Sequence, residues 1–107
     1  MKAARLDPEA LTELREAAGW YKERSPKVAR RFVENVRELA RKIARRPLQF
    51  PQLSDPPIEP PVRRALVPGF PYALVFVVNG SSVHVVAVVH QHRLPGYWLY
   101  RIRDDEE

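Results

Sequence analysis

Apolar residues recur every three to four positions through the first half of the chain. Ala10, Leu11, Leu14, Ala17, Ala18 and Tyr21 form one stripe, and Ala29, Phe32, Val33, Val36, Leu39, Ala40, Ile43 and Ala44 form a longer one. This period predicts two amphipathic helices, over residues 8–23 and 26–45. Asp7-Pro8-Glu9 supplies a cap, a proline suited to the first turn and an acid for the positive dipole end. Ser25-Pro26 repeats the cap-and-proline signal, and Pro47 stops the second helix. So short a connection folds the two helices into a hairpin. Gly19 falls inside the first stripe, where glycine costs about 1 kcal/mol against alanine. Either the helix ends early there or the position needs close packing.

The second half changes period. Pro47, Pro51, Pro56, Pro57, Pro60 and Pro61 crowd one stretch, which therefore reads as neither helix nor central strand. We expect an extended link packed through Leu48, Phe50 and Leu53. Three strands follow: Val62 to Val67, with Arg63 and Arg64 on opposite faces, then the largely apolar Tyr72–Val78 and Val83–Val89. Asn79-Gly80-Ser81-Ser82 between the last two is a hairpin signal. Lys2–Leu6 can add an edge strand. The order β-α-α-β-β-β predicts an α+β fold, a helical hairpin packed on a small antiparallel sheet.

At 107 residues the chain has room for one domain, read as residues 1–103 followed by an acidic tail at 104–107. There is no cysteine, which removes disulfides, thiolate nucleophiles and Cys-based zinc sites. No apolar run approaches the ~20 residues of a membrane span and no signal-peptide core opens the chain, so the expectation is a soluble cytoplasmic protein without membrane contact. The net charge is +5, unevenly spread: the half before residue 55 carries 13 bases against 7 acids. A basic half points to an acidic partner, nucleic acid or protein.

His90-Gln91-His92-Arg93-Leu94-Pro95-Gly96-Tyr97-Trp98 follows the last strand directly, where a rigid element hands over to a loop. His90 and His92 share a face by the two-residue period and can act as acid or base near neutral pH, or His90 can simply close the strand by bonding to backbone. His84 has the parity of His90 but lies about 20 Å along the strand, so the three histidines do not share a metal. No metal or other cofactor is expected, since no phosphate loop, glycine-rich fingerprint, serine-hydrolase elbow or metalloprotease helix is present. Arg63, Arg64 and Arg93 can clamp a phosphate if the fold brings them together. Tyr97 and Trp98 can stack on a base or close a core edge, and Trp20-Tyr21 reads as core. The second helix carries Lys27, Arg30, Arg31, Arg37, Arg41, Lys42, Arg45 and Arg46 against Glu34 and Glu38. Arg30–Glu34 and Glu38–Lys42 are spaced for ion pairs, and Arg30, Arg31, Arg37, Arg41 and Arg45 together form a candidate partner-binding face.

Several of these residues fall in a familiar order: Trp20-Tyr21, Ser25-Pro26, Ala29 with Phe32, Ile43, Pro47, Arg63-Arg64, Phe70-Pro71-Tyr72, and the closing His90-x-x-Arg93-x-Pro95-x-x-Trp98. Over residues 8–101 the chain resembles the RelE/ParE superfamily of toxins from type II toxin–antitoxin modules, also called plasmid stabilisation proteins, and within it the ParE-like branch. The resemblance implies the α+β fold above and a cognate antitoxin that wraps the toxin with a segment disordered when free. It implies one of two activities. ParE-type members inhibit DNA gyrase by binding. RelE-type members cut mRNA on the ribosome as metal-free endoribonucleases, and on that reading His90, His92, Arg93 and Tyr97 are the catalytic residues. RelE-type nucleases carry an arginine early in the central strand, where this chain has Ala73. Their late His-x-Arg-Arg pattern here reads His90-Gln91-His92-Arg93. Both departures favour the gyrase-binding reading. RNA cleavage, or a decayed member without toxicity, is the alternative.

Overall fold

The computed structural model describes residues 4–53, 59–93 and 95–102. Asp7 starts helix α1 (Pro8–Arg24), its side chain accepting from the Glu9 amide at 2.8 Å while Pro8 takes the first turn. Ser25 ends α1 by donating its amide to the Tyr21 carbonyl, and its hydroxyl then caps helix α2 (Pro26–Arg45) by accepting from the Val28 amide at 3.3 Å. One residue thus closes one helix and opens the next. Both helices end within a residue of expectation. Gly19 does not break α1.

Four strands form one sheet: β1 (Ala4–Leu6), β2 (Val62–Leu66), β3 (Tyr72–Asn79) and β4 (Ser82–His90), in the spatial order β1-β4-β3-β2. β2–β3 and β3–β4 are antiparallel, but β1 runs parallel to β4. The sheet is therefore mixed, a correction to the antiparallel expectation. A three-residue strand carries no signal of its direction; here it feeds α1, and the Asp7 amide extends the ladder by donating to the Val85 carbonyl at 2.8 Å. The β3–β4 turn places Asn79 and Ser82 at the strand ends. Gly80, with φ at 59°, takes the first loop position, a backbone region that suits glycine.

A β-bulge interrupts β4. Val75 faces Ala87 and Phe76 faces Val85, which leaves Val86 as an extra residue, and Val86 and Ala87 both join the core on the side away from the helices. Parity reverses across it. His84 lies opposite Val77 on the far face, whereas His90 lies opposite Tyr72 on the helix face. The shared parity expected of His84 and His90 is thereby overturned.

The sheet buries both faces. On one, Ala10, Ala17, Phe32, Val36, Leu39 and Ile43 pack on Leu74, Phe76, Val83, Val85 and Val88. On the other, Trp98, 2% exposed, covers Val62, Val75, Val77 and Val86, with Leu53, Tyr97 and Ile102 around it. Trp98 thus closes a core, and Tyr21 packs on the helix-side core, while Trp20 does not: it is 52% exposed, with the Arg24 guanidinium 3.6 Å from its ring centre. In the proline-rich link, Pro47–Gln49 forms a single 3-10 turn rather than extended chain, because proline suits a first helical position. Leu48 faces solvent instead of packing, whereas Phe50 and Leu53 pack as expected. Pro56 and Pro57, and the acidic tail at 104–107, lie outside the described residues. No helix among the described residues is long and apolar enough to cross a membrane.

Candidate functional site

Two clefts meet where β3 begins and β4 ends. The helix-side cleft, about 440 Å³, is walled by Glu13, Trp20, Tyr21, Tyr72, His90 and Arg93. The opposite one, about 370 Å³, is walled by Arg64, Ala73, His90, Gln91, Arg93 and Trp98. His90 and Arg93 belong to both.

The turn after β4 fixes these two residues. The Gln91 amide donates to the Pro71 carbonyl and the Arg93 amide to the His90 carbonyl at 2.9 Å. His90 Nδ1 accepts from the His92 amide at 3.1 Å, so a neutral His90 ring carries its proton on Nε2. The two imidazoles stack with centroids 5.2 Å apart, and Tyr72 meets His90 edge-on at 5.1 Å. His90 is therefore bonded to backbone and still lines a cleft. Among the described residues no group of three or more His, Asp or Glu is placed to hold a metal ion.

Of the three arginines considered as a phosphate clamp, Arg64 and Arg93 line the same far-side cleft. Arg63 is on the opposite strand face and donates from Nη1 to the Phe50 carbonyl at 2.7 Å. Ala73, 4% exposed, lines the same cleft as Arg64 and Arg93.

Tyr97 walls neither cleft, although its partners Glu13 and Arg93 both wall the helix-side one. Its hydroxyl donates to Glu13 Oε2 at 2.8 Å, and its ring carries the Arg93 guanidinium at 4.2 Å. Burial, then the Glu13 hydrogen bond and charge, push the phenol pKa well above the usual tyrosine range, so the proton stays on oxygen.

Glu13 and Arg101 are the residues that sequence reasoning missed. Glu13 Oε1 accepts from the Val88 amide at 2.9 Å, and Oε2 accepts from both Tyr97 and Arg101 Nη2. Arg101 also donates to the Val86 carbonyl at 3.0 Å and pairs with Glu9 at 2.8 Å, while the Tyr100 hydroxyl bonds Glu9. Burial works against the Arg101 charge, but the hydrogen bonds to Glu13 and Tyr100 outweigh it and raise its pKa. β1 ends opposite Val85, so Val86 and Val88 would present bare backbone at the sheet edge; this network covers them. Its one sequence trace is the i,i+4 spacing of Glu9 and Glu13 on α1. Nothing local points to Arg101.

On α2, Arg30, Arg31, Arg37, Arg41 and Arg45 are all exposed. Glu38 pairs with Arg41 at 2.8 Å rather than with Lys42, and no Arg30–Glu34 pair forms among the described residues. The surplus of positive charge on this face stands.

Residues 4–95 match the family model described as the ParE toxin of the type II toxin–antitoxin system parDE. No curated protein matches the chain.

Proposed function

Because the chain belongs to the ParE toxin family of type II toxin–antitoxin modules, we propose that it arrests growth by docking on DNA gyrase in the cytoplasm, not by cutting RNA. Its family makes a cognate antitoxin its partner. The observation that carries the binding reading is the placement of Tyr97. A cleaving site needs a proton donor or acceptor at the reacting atoms, and this hydroxyl donates its proton to Glu13 and walls neither cleft. Ala73 supports the same reading, since it leaves a methyl group where a nuclease would add a third cation to stabilise a phosphorane. A protein that inhibits by docking needs surface instead, and α2 offers an exposed basic face.

RNA cleavage is favoured by one arrangement, the convergence of Arg64, Arg93 and His90 on a single cleft. Two assays separate the activities. Purified wild type should inhibit gyrase supercoiling at micromolar concentration and leave ribosome-bound mRNA uncut. Single reversals on α2 should weaken inhibition modestly, and Arg37→Glu with Arg41→Glu strongly, because exposed charges set on-rate and orientation. Absence of gyrase inhibition by folded wild type refutes the proposal. mRNA cleavage abolished by His90→Ala and Arg93→Ala would establish the alternative.

A further inference from the structure

The helix-side cleft of about 440 Å³ is used by neither reading above, since gyrase docking is assigned to α2 and the RNA alternative to the far-side cleft. Much of its wall is aromatic. Trp20 and Tyr21 meet with ring centroids 5.2 Å apart and planes at 89°, Tyr21 and Tyr72 at 6.4 Å and 66°, and Tyr72 and His90 at 5.1 Å and 85°. Rings set so steeply to their neighbours do not all offer edges to one concavity; some offer the electron-rich face.

The rest of the wall draws on a single stripe of α1, in which Glu13, Glu16, Ala17 and Trp20 follow the helical period. The chain as a whole carries +5, yet this wall holds two carboxylates to one guanidinium. Glu13 already takes three donors, Arg101 among them. Glu16 is exposed and makes no ion pair among the described residues. The Arg93 guanidinium rests on the Tyr97 ring at 4.2 Å. Trp20 shows what its ring attracts. Arg24 lies 3.6 Å from the ring centre, anchored by donating from Nη1 to the Trp20 carbonyl at 2.8 Å, yet Arg24 is not part of the cleft wall. Trp20 is still 52% exposed, so the ring has surface left to offer the cleft.

We propose that this cleft binds a small soluble organic cation of the quaternary-ammonium class, its alkylated nitrogen against Trp20, Tyr21 and Tyr72 and its charge met by Glu16. Such a cation has no N–H to satisfy, so ring faces can take the place of its water. A primary ammonium brings three donors, more than one free carboxylate serves well. An anion would meet two carboxylates and the negative faces of the rings. Neither Glu16 nor Trp20 enters the gyrase assignment or the RNA alternative, so this proposal and those stand or fall separately.

The test is a titration of choline into the full isotope-labelled chain, followed by nuclear magnetic resonance. The indole N–H of Trp20 is read against that of Trp98, which is buried on the other face of the sheet. The Trp20 signal should shift saturably, with a Kd on the order of 1 mM or below, while the Trp98 signal stays still. The neutral isostere of choline, with a quaternary carbon in place of the nitrogen, should bind at least about fivefold more weakly. Trp20→Leu keeps apolar bulk and removes the ring, and Glu16→Gln keeps shape and removes charge. Both positions are exposed, so each variant should keep the wild-type Tm. Each should lose about fivefold in affinity, read from the backbone amides of Tyr72 and His90. Phosphatidylcholine vesicles, which carry the same group on a surface, should not capture the protein. No saturable shift at Trp20, equal binding of the neutral isostere, wild-type affinity in either variant, or capture by the vesicles in preference to free choline would each overturn the proposal.

Discussion

Replacing Glu13 by alanine tests whether one carboxylate holds the end of the chain to its beginning. In the folded protein its two oxygens take three donors, the Val88 amide at 2.9 Å, the Tyr97 hydroxyl at 2.8 Å and Arg101 Nη2 at 3.1 Å. The Glu13 and Arg101 side chains are 15% and 8% exposed. Removing one partner of such a pair costs about 3–5 kcal/mol, since the other charge stays buried. The orphaned Tyr97 and Val88 donors would each add about 1–3 kcal/mol if kept dry, but water can enter a site this near the surface, and Arg101 keeps Glu9, which is 52% exposed and screened. We therefore expect about 3–5 kcal/mol in total, a large share of the roughly 5–15 kcal/mol of a typical domain. At about 4 °C per kcal/mol this lowers Tm by about 12–20 °C. Urea unfolding followed by tryptophan fluorescence reads it directly, because Trp98 is buried beside Tyr97. Two controls sharpen the result. Glu9→Gln should cost at most about 1 kcal/mol. Glu13→Leu combined with Arg101→Met should cost less than the two changes taken separately, because no charge is left alone. A Glu13→Ala penalty below about 1 kcal/mol, or one equal to that of Glu9→Gln, would refute the buried-network reasoning.

Two further outcomes follow from the same elements. Trp98→Ala should destabilise by about 3–5 kcal/mol, seen as a lower urea midpoint, because it strips the cover from one face of the sheet. Tyr97 has a folded pKa raised above its reference value of 10.0 by burial and Glu13, so its contribution to stability is complete below about pH 10 and is lost as pH climbs toward the folded pKa. Urea midpoints measured above about pH 10 should fall, and Tyr97→Phe should flatten that fall.

The helices were legible almost to the residue, because Asp7-Pro8 and Ser25-Pro26 are local start signals and Pro47 is a local stop. The three long strands were legible for a similar reason, since short apolar runs bounded by Pro, Gly and Asn need no distant information. What escaped depends on pairing. The parallel placement of β1 and the extra residue at Val86 are decided by a neighbouring strand, and the bulge alone moved His84 and His90 to different faces. Trp20 looked like core by composition, yet its position on α1 leaves it outside, stacked under Arg24. At the site, strand alternation already placed Arg63 and Arg64 on opposite faces. Convergence of Arg64 with Arg93 needed the fold. The Glu13–Arg101 pair was out of reach because 88 positions separate its members.

That separation has a consequence in time as well as in space. A ribosome releases α1 and α2 early, but β1 pairs with the much later β4, and Glu13 finds Arg101 later still. Until β4 emerges the hairpin presents its apolar stripe to solvent, and until Arg101 follows the Val86 carbonyl at the sheet edge stays open. Contacts between distant parts of a chain form slowly, because the intervening segment must first be ordered. The protein therefore matures end to end, with no half that can be finished in advance. A chain that stops short of residue 101 keeps both helices yet lacks the clasp that ties α1 to the sheet edge, and we expect it to meet proteases and chaperones before any target.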